Sequence, residues 1–156
     1  KWEASFIFHN FMDILPASLL DLGPLQQLER ACFTDDRWPL LDLMAVLTFP
    51  SVVRLKAHMD GRMVGFVAGD QRDAQGISWI ATIAVLPQYQ QQGIGRALLL
   101  ACESKLTTPR VRLCLRTDNV SALRLYEQHG YQRVDVWRGY YKDGADALVM
   151  EKARSL

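Results

Sequence analysis

The sequence predicts an α/β fold, a single central mixed β-sheet flanked by about four helices, and three observations carry that expectation. Strand-like segments come in a run, and helical patterns are inserted late between further strands, an order that gives a mixed sheet with helices on both faces. An apolar run over residues 77–85 passes through a polar turn with two glycines directly into a helical pattern. The chain has 156 residues, of which 49% are hydrophobic and 22% charged, enough for one domain with a full core.

Residues 1–11 are apolar and aromatic (Trp2, Phe6, Phe8, Phe11) and are expected to form an N-terminal extension, as an extra strand or a packed arm. The single domain is expected over residues 12–156. Ile14, Leu15, Pro16 and Ala17 suit a short strand. Ser18 with an acid at Asp21 is close to a capping box and marks a helix start. Leu25, Leu28 and Cys32 then recur at helical spacing. Residues 40–47 predict a second helix with Leu40, Leu43, Met44 and Leu47 on one face. Residues 52–58 alternate as a strand through Val53, Leu55 and Ala57, and Asp60-Gly61 is a strong hairpin turn into a return strand over 63–68. The Asp73-Ala74-Gln75-Gly76 turn leads to the strand at 77–85. The helix over 94–106 is expected to bury Ala97, Leu98, Ala101 and the stem of Lys105. After Pro109, Val111, Leu113 and Leu115 alternate with Arg112, Cys114 and Arg116 in a half-buried strand. Asp118 or Asn119 caps a helix reaching His129 and ended by Gly130. Residues 131–137 and 148–152 close the sheet as two strands. Any parallel strands joined by a helix should follow right-handed crossovers.

The turn Gln90-Gln91-Gln92-Gly93-Ile94-Gly95-Arg96 holds the strongest chemical signal. A helix opening behind a glycine turn aims unpaired backbone N–H groups and the positive end of its dipole at one spot, which suits a phosphate. Glycine leaves room for close ligand approach. A P-loop needs Lys-Ser or Lys-Thr where Arg96-Ala97 stands, and a dinucleotide fingerprint needs a small residue at Leu98 and an acid where Leu113, Cys114 and Leu115 stand. Both fail. What remains, Gln-x-x-Gly-x-Gly, resembles the acyl-CoA pyrophosphate loop of the GNAT acetyltransferase superfamily; a purely structural glycine pair is the competing explanation.

A second segment, Leu113-Cys114-Leu115-Arg116-Thr117-Asp118-Asn119-Val120-Ser121-Ala122-Leu123-Arg124-Leu125-Tyr126, followed by Gly130-Tyr131, is similar to the strand–Asn–helix–Tyr–Gly–aromatic segment of the same superfamily. The resemblance spans nearly all of residues 12–152 and implies a GNAT-type N-acyltransferase fold. It implies acetyl-CoA as cofactor, contacted by Ile83, Ala84, Val85, Gln90, Gln91, Gln92, Gly93, Ile94, Gly95, Arg96, Asn119 and Tyr126, with Tyr126 as general acid. A plain helix cap at Asn119 and core packing at Tyr126 are the structural alternatives. The tail Arg138-Gly139-Tyr140-Tyr141 through Asp146-Ala147 resembles the Nα-acetyltransferase group, which includes ribosomal-protein N-terminal alanine acetyltransferases. There the last hairpin forms one wall of a peptide groove and the loop between the first two helices the other, which places Tyr140 and Tyr141 opposite Phe33 and Trp38.

In that group the strand position of Cys114 carries a Glu or His base. A thiol without a cationic partner is a poor base, so Cys114 is expected to be catalytically minor. An α-amine, with a reference pKa near 8, relaxes the need for one. Three readings follow: an enzyme acetylating the α-amine of a protein or peptide N-terminus, a small-amine acetyltransferase (polyamine, amino acid or antibiotic), or a non-catalytic acyl-CoA sensor. The net charge of +1 implies no broad attraction to nucleic acid or membrane. Three unpaired, widely spaced cysteines suit the reducing cytoplasm, and neither they nor the three histidines form a metal-ligand pattern, so no metal is expected. The start, Lys1 to Ser5, lacks the apolar core of a signal peptide. The assembly is expected to be a monomer or homodimer.

Overall fold

The computed structural model describes residues 11–156, so the expected extension falls, apart from Phe11, outside the described residues. One sheet has the strand order β1-β2-β3-β4-β5-β7-β6. Its strands are β1 (Asp13–Pro16), β2 (Val52–Met59), β3 (Arg62–Arg72), β4 (Ile77–Val85), β5 (Arg110–Arg116), β6 (Gln132–Trp137) and β7 (Ala147–Ala153), with helices α1 (Leu22–Cys32), α2 (Leu40–Thr48), α3 (Ile94–Lys105) and α4 (Val120–Gln128). Paired strands are antiparallel except β4 and β5, which run parallel and are joined through α3.

Local chemistry sets the entries and turns. The capping box forms at Ser18, whose backbone N–H donates to Asp21 Oδ2 at 2.9 Å, but it opens a 3-10 turn that only then becomes α1. Asp60 and Gly61 both take positive φ (53° and 74°), the backbone a two-residue hairpin needs to match the strand twist. The return strand β3 runs further than the alternation suggested. Pairing with β4 continues to Arg72 opposite Ile77, carrying the polar residues Asp70 and Gln71 into the sheet.

Two apolar stripes are rotated from those expected. In α2 the buried residues are Leu43, Val46 and Leu47, while Leu40 is 48% and Met44 36% exposed. In α3 they are Ile94, Leu98, Leu99 and Cys102, with Ala97 and Ala101 only half-buried and Lys105 exposed. The cause for α3 lies in β3. A Cβ on Gly65 would stand 2.9 Å from Leu98 Cδ1, and one on Gly69 2.9 Å from Cys102 Sγ. These two glycines form a flat track on which Leu98 and Cys102 dock, and that track decides which side of the helix faces inward. Helix α3 crosses β2, β3 and β4, and α1 crosses β3 and β4 from the opposite face, so the centre of the sheet is covered on both sides.

Candidate active site

The parallel pairing of β4 and β5 lasts only three rungs: Ile77 with Arg110, Ser78 with Val111, and Trp79 with Arg112. Immediately beyond, the β3–β4 register steps from Gly69 opposite Ile80 to Ala68 opposite Thr82, leaving Ala81 as an extra residue in β4. A bulge bends its strand and increases local twist. Here it turns β4 away from β5, whose far half stays paired to β7 on its other side. The result is a wedge-shaped cleft bordered by β4 from Ile80 onward, including Ile83, Ala84 and Val85, and by Leu113 to Arg116.

The glycine turn closes one end of this wedge. Gln91 (φ 63°) and Gly93 (φ 82°) take left-handed backbone, and α3 begins at Ile94 with no side chain capping it. The first helical bond runs from Ala97 N to Gly93 O at 3.0 Å, so the N–H groups of Ile94, Gly95 and Arg96 point out of the helix end. A Cβ on Gly95 would meet only Leu125 Cδ2 at 3.8 Å and Val85 Cγ2 at 3.9 Å, ordinary contacts. The fold therefore tolerates a side chain there. The Gln90 amide donates back to Val85 O at 3.0 Å, and Cys32 Sγ donates to the same carbonyl at 3.2 Å. Leu86 N donates to Val64 O at 2.8 Å, fixing the other end of that peptide. Gln92 Nε2 reaches Gln88 O at 3.4 Å. Two of the three glutamine side chains thus shape the turn itself.

Asn119 caps α4, its Oδ1 accepting from Ala122 N at 3.3 Å, which is the structural role weighed for it. Tyr126, on the inner face of α4, is 5% exposed and packs edge-on against Tyr131, with ring centroids 5.7 Å apart. Tyr131 is itself held by a 2.7 Å hydrogen bond from its hydroxyl to Glu103. Burial, and then the neighbouring Cys114 and Tyr141, push the Tyr126 hydroxyl well above the ordinary phenol range. It is a held proton. Cys114 lies beside the Tyr140 and Tyr141 hydroxyls; burial raises its thiol despite their opposing hydrogen bonds, so it stays protonated.

Two walls flank the cleft. The α1–α2 loop carries Phe33 and Trp38, both half-buried. Beneath them Glu29, only 3% exposed, accepts from Trp38 N at 3.3 Å; its carboxyl is raised by burial, partly offset by that amide. It borders a pocket of about 210 Å³ shared with Gln26, Arg30, Arg37, Trp38 and Leu43. Sequence reasoning missed Glu29, although an acid four residues after Leu25, inside a buried stripe, was a usable signal. The opposite wall is the β6–β7 loop. There Tyr140 is 54% exposed, Tyr140 and Tyr141 meet edge-on at 5.1 Å, and Trp137 stacks behind Tyr140 at 5.3 Å. Asp146 orders the loop, accepting from Gly139 N at 2.9 Å and from Arg138 at 2.9 Å.

Arg116 at the end of β5 joins the walls. It donates to Asp36 through Nε (2.7 Å) and Nη2 (3.0 Å), and to Asp143 through Nη1 (2.9 Å). Its guanidinium also lies 4.4 Å from the centre of the Tyr141 ring. The sequence pattern had marked it only as a neighbour of Cys114. Among the described residues no three His, Cys, Asp or Glu side chains gather as a metal site, and no helix is long and apolar enough to cross a membrane.

Comparison with known proteins gives a consistent result. The N-alpha-acetyltransferase RimI of Mycobacterium tuberculosis is 38% identical over 131 residues, covering 81% of this chain and 82% of that protein. An N-alpha-acetyltransferase of Sulfurisphaera tokodaii is 36% identical over 110 residues, covering 60% and 65%. The crystal structure of the ribosomal-protein-S18-alanine N-acetyltransferase of Escherichia coli superposes with a TM-score of 0.85 at 26% identity, covering 94% of this chain and 96% of that one. Arabidopsis thaliana NAA60 in complex with acetyl-CoA shares the fold, with a TM-score of 0.79 at 20% identity over 92% and 98% of the two chains. The Acetyltransferase (GNAT) family profile matches residues 22–131, and the chain, with its split parallel strands and uncapped glycine turn, belongs to that family.

Proposed function

We propose that this enzyme transfers an acetyl group from acetyl-CoA to the α-amine of a protein or peptide N-terminus, by direct transfer within one catalytic domain over residues 12–156. The observation that carries this reading is the pair of loops, one bearing Trp38 and the other Tyr140 and Tyr141, that Arg116 ties together at the β5 side of the cleft and that would wall a peptide groove. Its carboxylates Asp36 and Asp143 are both engaged by Arg116, which leaves neither free to hold a small polycation. Paired tyrosines suit a peptide, offering ring faces to side chains and hydroxyls to the backbone. The 38%-identical relative and the Escherichia coli structural neighbour bear names that describe the same chemistry.

The residues at the turn fit coenzyme A: three outward N–H groups, a helix dipole and space at Gly95 for its diphosphate. The cofactor supplies the acetyl group as an activated thioester. The N–H groups of Ile94, Gly95 and Arg96 would hold the diphosphate, and Gln91, Gln92 and Gly93 would shape its approach. A backbone N–H within residues 83–85, on the side of β4 turned away from β3, would polarise the reacting carbonyl. Gln90 and Cys32 fix the orientation of the last peptide of that strand through Val85 O. Asn119 holds the start of α4, which carries Tyr126 to the cleft. Tyr126 Oη would be the proton donor to the leaving thiolate.

The amine must arrive uncharged. An α-amine with pKa about 8 is partly neutral at physiological pH, whereas a lysine side chain at about 10.4 is not. The remaining proton leaves through water toward Glu29, the buried carboxylate on the α1 wall, which borders a pocket roomy enough for ordered water. Cys114 contributes packing. Its two companion thiols are also unpaired, which suits a cytoplasmic enzyme.

The test is acetyl-CoA consumption against peptides with free or blocked N-termini, beside a panel of polyamines, amino acids and aminoglycosides. Turnover is expected with free N-termini. Turnover of small amines alone overturns the acceptor assignment, and background rates with every amine, despite cofactor binding, overturn catalysis.

A further inference from the structure

Arg116 has three partners far apart in sequence, 80 residues to Asp36 and 27 to Asp143. One is on each wall of the acceptor groove, and the third, Tyr141, is part of the groove lining. The fork on Asp36 is bidentate, a geometry that fixes angle as well as distance. An arginine needed only for surface charge would not place all of its hydrogen-bonding edges on two opposing loops. One guanidinium against two carboxylates leaves a single net negative charge, but the oxygens are engaged: both of Asp36 and Oδ2 of Asp143 by Arg116, and Oδ1 of Asp143 by Ala145 N at 3.1 Å.

We propose that Arg116 is a positioning residue that sets the spacing of the two groove walls and, by consuming Asp36 and Asp143, excludes small polycationic amines in favour of chain termini. This rests on the peptide-groove reading above. Removing the guanidinium lets the α1–α2 and β6–β7 loops separate, frees Tyr141 from its stack, and leaves two unpaired carboxylates facing each other where a polyamine can bridge them. The proposed acid Tyr126 lies on a different element, α4, and is held by its edge-on packing against Tyr131 and not by Arg116.

The experiment compares wild type with Arg116→Ala, Arg116→Lys, Asp36→Asn and Asp143→Asn, measuring KM and kcat for a free-N-terminus peptide and for spermidine, with Kd for coenzyme A by calorimetry. Arg116→Ala is expected to raise peptide KM on the order of tenfold, as loss of charge-assisted hydrogen bonds does, with kcat and coenzyme A affinity held within about threefold, and to acquire spermidine turnover. Arg116→Lys, keeping the charge and losing the fork, recovers the exclusion of spermidine but only part of the peptide KM. The two Asp→Asn variants raise peptide KM without admitting spermidine. Unchanged peptide KM in Arg116→Ala overturns the proposal, as does a uniform fall in kcat and cofactor affinity, which marks a merely structural arginine. If Arg116→Ala does not fold, Asp143→Asn decides, because its carboxylate is 52% exposed and severs one arm alone; wild-type KM there overturns the spacing role. If wild type acetylates spermidine and no peptide, the peptide reading fails separately, and the spacer role falls with it.

Discussion

Gly95→Ala separates a glycine kept for a ligand from one kept for the fold. The residue is helical, not left-handed, and the added methyl would sit 3.8 Å from Leu125 and 3.9 Å from Val85, at normal contact distances. Nothing in the protein resists it. Replacing glycine by alanine inside a helix stabilises by about 0.5–1 kcal/mol, and in a chain of this size that raises Tm by roughly 1–4 °C. The same methyl would lie between Val85 of β4 and Leu125 of α4, on the helix turn whose three N–H groups are proposed to hold the diphosphate. Displacing a diphosphate from even one of them forfeits a hydrogen bond to a charged group, about 1.5–3 kcal/mol, or roughly ten- to a hundredfold in Kd. The expected result is a protein that melts higher and binds coenzyme A at least about tenfold more weakly, read by thermal denaturation and calorimetry on the same preparation. Equal affinity at raised Tm would refute the placement of the cofactor on this helix end. A lowered Tm would show that the glycine serves packing after all.

Three further outcomes follow from the same geometry. Tyr126→Phe should keep the ring packing on Tyr131 and the affinity for coenzyme A, yet lower kcat on the order of 10²–10⁴-fold, whereas Cys114→Ala should stay within about threefold of wild type in steady-state assays; a dead Cys114→Ala that still binds acetyl-CoA sinks the assignment of the acid and base roles. Gly69→Ala should lower Tm, since its methyl would press on Cys102 Sγ at 2.9 Å and Leu106 Cδ2 at 3.1 Å; overpacking of this kind costs about 1–3 kcal/mol, and no loss of Tm would mean α3 is not seated on the glycine track. Stability should decline above pH 9. Burial raises Cys32 to about 11 and Cys102 to about 12 from an ordinary 9.0, so the folded chain keeps thiol protons that the unfolded chain releases. Their contribution is complete below pH 9 and is lost as pH climbs through 11 to 12. Denaturation midpoints between pH 8 and 11 check this, and Cys32→Ala should flatten the slope.

How much of this was legible in the sequence depends on the range over which each feature is determined. The glycine turn, the Ser18 capping box, the Asp60-Gly61 hairpin and the cap at Asn119 depend on residues within about one helical turn of each other, and all appear where the sequence places them. The alternation of β5 likewise predicts which face Cys114 and Arg116 share. The stripe on α3 was misread because helical spacing alone allows two adjacent faces, and the choice is made by Gly65 and Gly69, which lie in another element. Glu29 was passed over because its burial depends on Trp38 folding back to donate to it.

The site follows the same division. The cofactor end of the cleft is built from contiguous residues and is readable, since a helix N-terminus needs only its own backbone to bind a phosphate. The acceptor end is assembled by long-range contacts: a bulge at Ala81 set by the register against β3, and Arg116 reaching two loops at once. A sequence can therefore announce the reaction while leaving the substrate unstated, because the cofactor end is one local strand–turn–helix unit, and the acceptor end as proposed depends on two loops distant in sequence that Arg116 joins. The absence of a strong base at Cys114 fits that view. On the proposed reading, an acceptor whose amine is already partly neutral asks little of a base, and discrimination among acceptors would fall to Asp36, Arg116 and Asp143, which no local motif contains.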